Sequence, residues 1–198
     1  VLETAAKYEV SLVVHEPIKD TGLRRTFPNM MSREGAKGQE FNGFMSSKDN
    51  NKPNHTTIIP FTRLLSSPMD YTPGIFNLVD YRYNSPEDRK INPNHRIPST
   101  ISKELALYVV IYAPVQMAAD LPINYEGNPA FQFILDVPTD WEETKVLNGE
   151  IGEFITIARK DINSDSWYIG SITNEDGRSI EIEMNFLNDN ATYKATIY

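Results

Sequence analysis

The chain has 198 residues, of which 40% are hydrophobic and 11% aromatic, enough to bury the core of one large domain or of parts of two. Its net charge of -8 repels phosphate backbones and anionic lipid surfaces, so we expect neither nucleic acid nor a membrane as a partner. Cysteine is absent, which excludes disulfides, thiolate metal sites and cysteine nucleophiles. Any metal ion must be held by oxygen atoms or by His15, His55 and His95, and oxygen ligands favour calcium or magnesium.

Targeting signals are not evident in the sequence. VLETAAKYEV at the N-terminus lacks the basic-then-apolar profile of a signal peptide, and no stretch approaches the roughly 20 consecutive apolar residues of a bilayer span. Two interpretations remain from the residues alone: the chain is cytoplasmic, or its targeting segment lies outside these residues.

The first part of the chain is predicted to alternate helix and strand. Leu2–Lys7 is typical of the end of a helix. The nearly continuous apolar run in Tyr8–Val14 predicts a strand buried on both faces, as in a parallel sheet covered by helices. A second short strand is predicted around Met30, Met31 and Ser32.

An irregular segment follows, from Phe41 to Pro98, and it is rich in Asn, Pro and Ser. A helical turn is predicted around Thr57–Leu65 and a polar insertion at Tyr81–Pro98. That much irregular chain in a compact domain usually forms functional loops.

A long apolar helix and several short strands are predicted in the remainder. Ser99 or Thr100 caps a helix over Ile101–Ala113, which Pro114 kinks or ends. Four strands of half-solvated antiparallel sheet are predicted from alternating or β-branched patterns: Phe154–Arg159, Trp167–Ile172, Ile180–Phe186 and Tyr193–Tyr198. We place a boundary near Pro138, with an α/β portion at 1–137 and a β-sandwich portion at 138–198.

Three glutamates are candidates for a shared site. Glu16 and Glu34 follow the two predicted strands, at the strand ends where α/β barrels assemble their active sites. Glu40 comes after Gly35 and Gly38, which let the backbone turn and bring a third acid back toward the first two. Three converging carboxylates repel one another unless a cation or shared protons relieve them, and calcium is the obvious cation.

Simpler explanations exist for each of these residues. A single Glu on a loop is most often solvated, and a Glu after a strand often caps the next helix. An isolated histidine such as His15 is more often packed and hydrogen-bonded than a ligand. Spacing alone leaves these alternatives open and does not name a reaction.

Several long motifs carry a family resemblance. HEPIKDTGLRRTFPNMMSREGAKGQEFN, starting at His15, closely resembles glycoside hydrolase family 97, the calcium-dependent α-glucosidases and related enzymes. The resemblance continues through HTTIIPFTRLLSSPMDYTPGIF, LALYVVIYAPVQMAADLP, FQFILDVPTDW and SWYIGSIT. It implies the C-terminal part of a (β/α)8 barrel, with the seventh and eighth strands and the last helix, followed by a small, incomplete antiparallel β-sandwich.

The resemblance also assigns roles to four residues. Glu16 matches a calcium ligand that is also one of two carboxylates activating water, and Glu34 matches a second calcium ligand. Glu40 matches the general acid, whose carboxyl group also contacts the metal, and His15 matches a histidine beside the sugar-binding subsite. Retaining members have Gly in place of Glu16 and use an upstream Asp as nucleophile, so Glu16 implies inversion.

The implied function is hydrolysis of terminal α-glucosidic bonds in malto-oligosaccharide-like substrates, with inversion and with calcium as cofactor. The implied partners are the oligosaccharide and the remaining N-terminal part of the same enzyme, in the periplasm, and we expect the chain alone to be inactive. The alternatives are a non-catalytic carbohydrate-binding or interaction module and an α-galactosidase, against which Glu16 argues.

Overall fold

Short parallel strands in the first part of the chain and a longer antiparallel sheet in the second frame the fold. The computed structural model describes residues 1–44, 51–79 and 96–198. Most of the insertion predicted at Tyr81–Pro98, including His95, lies outside them. The elements are, in chain order, α1 (Leu2–Lys7), β1 (Leu12–Val14), α2 (Leu23–Thr26), β2 (Met30–Arg33), α3 (Phe41–Phe44), α4 (Pro53–Ile58), the 3-10 turns Ile59–Phe61 and Arg63–Leu65, α5 (Ile101–Val110), α6 (Pro122–Tyr125), α7 (Phe131–Asp136), β3 (Trp141–Glu150), β4 (Phe154–Asp161) and β5 (Trp167–Thr173).

The predicted pair of parallel strands is confirmed. β1 pairs with β2 in parallel, and a bridge between Arg33 and Met69 continues the parallel order to a third segment that the sequence did not reveal. β1 is shorter than the predicted Tyr8–Val14, because Glu9 adopts a left-handed φ of 56° and the chain turns there instead of extending. The prediction that this strand is buried on both faces is wrong, since β1 is half-buried throughout.

Helix α5 lies at the centre of the core. The amide of Lys103 donates to Thr100 Oγ1 at 3.1 Å, which confirms the predicted N-cap. The helix ends at Val110 and not at Ala113, because the chain then extends and Tyr112 O accepts from the amide of Met69 at 3.0 Å.

One hydrophobic cluster joins the two parts of the chain around this helix. It contains Ile59, Met69, Tyr71, Leu107, Val110 and Ile111 together with Ile155, Ile157 and Ile172 of the sheet. At Gly170 in β5 an added Cβ would lie 2.7 Å from Ala106 O and 2.8 Å from Val109 Cβ, so glycine lets the helix and the sheet meet at backbone distance.

The second part of the chain forms a three-stranded antiparallel sheet in the order β3-β4-β5. The predicted strands at Phe154–Arg159 and Trp167–Ile172 are confirmed, and the expected change from an α/β portion to an antiparallel β portion is confirmed with them. Strand β3 was missed because its sequence WEETKVLNGE is polar and its side chains are mostly exposed.

The strands predicted at Ile180–Phe186 and Tyr193–Tyr198 are wrong, since these residues form no strand in the structure. Phe186 packs on Trp167 with 4.8 Å between ring centroids, and Asn148 donates to Glu181 O at 3.1 Å. The first segment therefore rests against the sheet through side chains without joining its ladder. Among the described residues, no helix combines the length and the apolar character needed to cross a membrane.

Candidate active site

Three site residues follow neighbouring parallel segments at the same edge. His15 comes directly after β1, Glu34 directly after β2, and Asp70 directly after Met69 of the third segment. The amide of Glu34 donates to Val14 O at 2.9 Å, and the amide of Asp70 donates to Arg33 O at 3.2 Å. The parallel pairing therefore delivers all three side chains to one end of the sheet, where barrel enzymes place their chemistry.

Three of the four predicted site residues converge there. His15, Glu34 and Glu40 each offer a ligand atom, and these atoms lie within 4.8 Å of one another. His15 Nδ1 is 4.0 Å from Glu40 Oε1, and the Glu40 side chain is 37% exposed. Glu34 is buried, so the group has a buried carboxylate at its base and a half-exposed carboxyl group at its rim.

Glu16 takes a different position from the other predicted residues. Its carboxylate is not part of that group, and its backbone has a left-handed φ of 47°. The contact that it does make is through the backbone, whose amide donates to Glu34 Oε2 at 3.2 Å. Glu16 thus borders the cluster with its side chain exposed to solvent.

A half-buried arginine fixes the backbone beneath these acids. Arg63 donates through Nε to Glu34 O at 2.9 Å, through one terminal nitrogen to Arg33 O at 2.7 Å, and through the other to Ser67 O at 2.9 Å. Gly35 has φ +68°, and an added Cβ there would lie 2.8 Å from Arg63 Nε. Glycine is required at this turn for both its conformation and the close approach of the guanidinium.

The surroundings of the group shift the pKa values of Glu40 and His15. Burial and, after it, the charge of Glu34 raise the pKa of the Glu40 carboxyl, although His15 acts in the opposite direction. The pKa of His15 is raised chiefly by its hydrogen bond to Asp70, whose Oδ2 lies 2.6 Å from His15 Nε2. A half-exposed carboxyl group with a raised pKa holds a proton more readily than an ordinary glutamate, as a general acid must.

Asp70 and Arg63 are parts of the site that sequence reasoning missed. Both lie within HTTIIPFTRLLSSPMDYTPGIF, a motif that carried the resemblance but was given no site role. The available signal was an acid directly after a short apolar step in PMDY, the same arrangement that singled out Glu16 and Glu34. Without a predicted third strand, that signal had no structural context.

The donor set fits a divalent cation in part. Glu34 and Glu40 supply the hard carboxylate oxygens that calcium prefers, and a cation between them would relieve the repulsion that raises the pKa of Glu40. His15 offers a nitrogen atom, which suits transition metals better than calcium. The Glu16 amide lies 3.2 Å from Glu34 Oε2, so the backbone of Glu16 adjoins this donor set although its carboxylate is not part of it.

Family models match both ends of the chain. Residues 1–36 match the model described as Glycoside hydrolase 97, and residues 140–198 match the one described as Glycosyl-hydrolase 97 C-terminal, oligomerisation.

Curated relatives extend the similarity across the whole chain. A retaining alpha-galactosidase of Bacteroides thetaiotaomicron is 38% identical over 99% of this chain and 28% of its own length. A probable retaining alpha-galactosidase of Streptomyces bingchenggensis is 30% identical over 86% of this chain and 23% of its own length. The chain thus spans about a quarter of the length of the curated relatives that it matches.

Solved structures also match nearly the whole chain. A Glycoside Hydrolase Family 97 enzyme from Pseudoalteromonas sp. strain K8, solved in complex with Panose and with Acarbose, is 48% identical with a TM-score of 0.80, covering 96% of this chain and 28% of that one. From the two family models, the relatives and this structural match together, we conclude that the chain belongs to glycoside hydrolase family 97.

Proposed function

We propose that this chain carries the general acid and part of the metal site of an inverting glycoside hydrolase that cleaves terminal α-glucosidic bonds. The observation that carries the proposal is the placement of Glu40, half-exposed, next to the buried Glu34 and with its pKa raised. A carboxyl group in that environment can hold a proton and deliver it to a glycosidic oxygen.

The two carboxyl groups divide the chemistry between them. Glu40 donates its proton to the leaving-group oxygen, and Glu16 helps to orient a water molecule on the opposite face of the sugar. Inversion needs the acid and the base about 6.5–9.5 Å apart. Glu16 follows β1 with its side chain exposed beside the group, so it is the acid of this chain that we assign to the water.

Calcium is proposed as the cofactor, held by Glu34 and Glu40 and, after rotation of its side chain, by Glu16. When bound, calcium would neutralise these carboxylates and polarise groups next to them. The protein contributes the fixed position of Glu34, because Arg63 binds its carbonyl oxygen and the Glu16 amide binds its carboxylate.

An α-glucoside is the proposed substrate class. The enzyme solved with Panose, a trisaccharide of α-linked glucose, is 48% identical to this chain, whereas the curated retaining alpha-galactosidase is 38% identical. Glu16 adds support, since retaining members carry Gly at the matching position by resemblance. α-Galactosidase activity is the second candidate, because both curated relatives bear that name.

A separate carbohydrate-binding module is a weaker alternative. Ile155, Ile157 and Ile172 of the sheet share one core with Leu107 and Val110 of α5. A sheet working without α5 would expose that apolar face to water. The chain covers about a quarter of its relatives, so we propose that the activity belongs to the longer polypeptide that contains it.

The decisive experiment replaces Glu40 by Gln in the complete polypeptide that carries this chain. Aryl α-glucosides with poor leaving groups should lose about 10²- to 10⁴-fold in rate, because their departure needs the proton. Substrates with good leaving groups should lose far less. Glu126→Gln, on an exposed turn, is the matched control and should leave all rates unchanged. Equal rates for Glu40→Gln and wild type would reject the assignment.

The stereochemical outcome is tested on the wild type by NMR of the first-formed sugar. Release of β-glucose from an α-glucoside supports inversion, and release of α-glucose contradicts it. Parallel assays with aryl α-galactosides decide between the two candidate substrates.

A further inference from the structure

Asp70 is a buried acid at the site that the proposed function does not use. Its side chain is 3% exposed, and its Oδ2 lies 2.6 Å from His15 Nε2. The His15 side chain is 45% exposed, and its other ring nitrogen, Nδ1, lies 4.0 Å from Glu40 Oε1. The imidazole therefore stands between a buried carboxylate and the proposed general acid.

We propose that Asp70 is a positioning residue that orients His15 toward Glu40 and the sugar; this inference rests on the proposed function. A carboxylate at hydrogen-bond distance accepts the proton of Nε2–H and so fixes both the orientation of the ring and the nitrogen that carries the proton. Nδ1 is then the atom that faces Glu40 and the incoming substrate. Without Asp70, a half-exposed histidine can adopt other rotamers.

Backbone contacts on both sides hold Asp70 in place for this task. Its amide donates to Arg33 O at 3.2 Å, and the amide of Met69 donates to Tyr112 O at 3.0 Å. The next residue, Tyr71, accepts from the amide of Gln39 at 2.8 Å. A residue whose own amide and neighbours are tied to adjacent segments can aim a side chain more accurately than a free loop residue can.

The segment formed by Asp70 and Tyr71 therefore contributes to the placement of both His15 and Glu40. It holds His15 through the Asp70 carboxylate, and it holds Glu40 through the bond between Tyr71 and Gln39, the residue before Glu40. Movement of this segment would shift the imidazole and the acid together. The distance between His15 and Glu40 therefore depends in part on this segment, which agrees with a positioning role.

A purely structural role for Asp70 makes a different prediction from a positioning role. If Asp70 acts through His15, removing it should do no further harm once His15 is gone. If it only stabilises the fold, the two losses should be independent and should multiply. A double-mutant cycle on kcat/KM separates these cases.

The test compares Asp70→Ala, His15→Ala and the double variant in the complete polypeptide, with an aryl α-glucoside and an aryl α-galactoside as substrates. We expect Asp70→Ala to lower kcat/KM by about 10- to 100-fold, as loss of an orienting partner does elsewhere. The kcat/KM of the double variant should be no lower than that of the less active single variant. Asp70→Asn, which keeps an oxygen to accept the Nε2 proton, should recover most of the loss.

The matched control is Asp120→Asn, which changes a carboxylate that accepts from the amides of Phe76 and Asn77. It should lower the melting temperature and leave kcat/KM within about twofold of wild type. Losses that multiply in the double variant, or an Asp70→Ala variant with unchanged kcat/KM, would overturn the proposal.

A readout independent of turnover separates this inference from the proposed function. In crystals of the Asp70→Asn and Asp70→Ala polypeptides, we expect the His15 ring to stay in place in the first and to move in the second. An unmoved ring in both would contradict the positioning role. If the wild type hydrolyses neither substrate, the proposed function fails, and the crystals still decide whether Asp70 orients His15.

Discussion

The site-bearing parallel segments and the antiparallel sheet are held together by different forces. Strand β4 is buried along most of its length, and its apolar side chains pack on helix α5. Strand β1 is half-buried at every position. Around β1 and β2, hydrogen bonds from charged groups are prominent: the half-buried Arg63 binds the carbonyls of Arg33 and Glu34, and the buried Arg33 donates to Ile18 O at 2.7 Å.

Glu104 extends this pattern from the core helix to the loops near the site. Its carboxylate is 1% exposed and accepts from the Gly74 amide at 2.9 Å and from Ser99 Oγ at 2.5 Å. Apolar burial is non-directional, whereas hydrogen bonds to charged groups fix atoms in defined places. The difference suggests that the sheet and α5 supply stability, while the polar contacts supply the accuracy that a catalytic site needs.

The largest effect should come from removing apolar contact at the centre of the core. Leu107 is 1% exposed, and Leu107→Ala should lower the free energy of unfolding by about 3 kcal/mol, because it leaves a cavity between α5 and the sheet. Leu65→Ala, at a side chain that is 78% exposed, is the control and should cost less than about 0.5 kcal/mol. Chemical denaturation measures both, and equal losses would contradict the assignment of the core.

Replacing Arg63 tests the contribution of the hydrogen bonds around the parallel segments. Arg63→Met should cost about 2 kcal/mol in the free energy of unfolding, because several buried carbonyl groups lose their donor. It should also lower hydrolysis by the complete polypeptide, since Glu34 is no longer fixed. Arg63→Lys keeps the charge but not the planar fork, so less than half of the loss should return. Full recovery with lysine would show that charge alone matters.

The N-cap of α5 should have a smaller effect. Thr100→Ala removes the acceptor for the Lys103 amide and should cost about 1 kcal/mol in the free energy of unfolding. Thr100→Ser keeps the acceptor and should stay within a few tenths of a kcal/mol of wild type. If serine and alanine behave alike, the capping bond does not stabilise the helix.

The smallest effect is expected from Asp20, and it depends on pH. The Gly22 amide and then the Arg24 guanidinium lower the pKa of Asp20 from its ordinary value of 3.8. Its stabilising contribution is therefore present above pH 3.8 and disappears as the pH falls through the lowered pKa of the folded state. Asp20→Asn should be less stable by about 0.5 kcal/mol at pH 7. The two unfolding curves should converge under strongly acidic conditions, and a constant gap would contradict this origin.

Sequence patterns anticipated the elements whose period matches their burial. β4, β5 and α5 follow runs of apolar or β-branched residues, and each was located to within a few residues. β3 escaped because a polar edge strand has no apolar period. The alternation in Ile180–Phe186 was real but misleading, because it reports a half-buried face and not whether the backbone pairs.

The site was anticipated to the extent that it depends on local order along the chain. Glu34 and His15 lie at strand ends, and the glycines before Glu40 allow the turn that returns it to them. The contact of Asp70 with His15 spans 55 positions and depends on a third parallel segment, so no local pattern announces it. The metal ligands, the cofactor and the stereochemistry stay predictions that await the experiments above.

The close approach of helix and sheet at Gly170 has a mechanical consequence. No space remains there for the C-terminal sheet to move closer to α5, and α5 in turn binds the loop at Gly74 through Glu104. A displacement of the sheet toward α5 would therefore press on the helix and, through Glu104, on the loop four residues beyond Asp70.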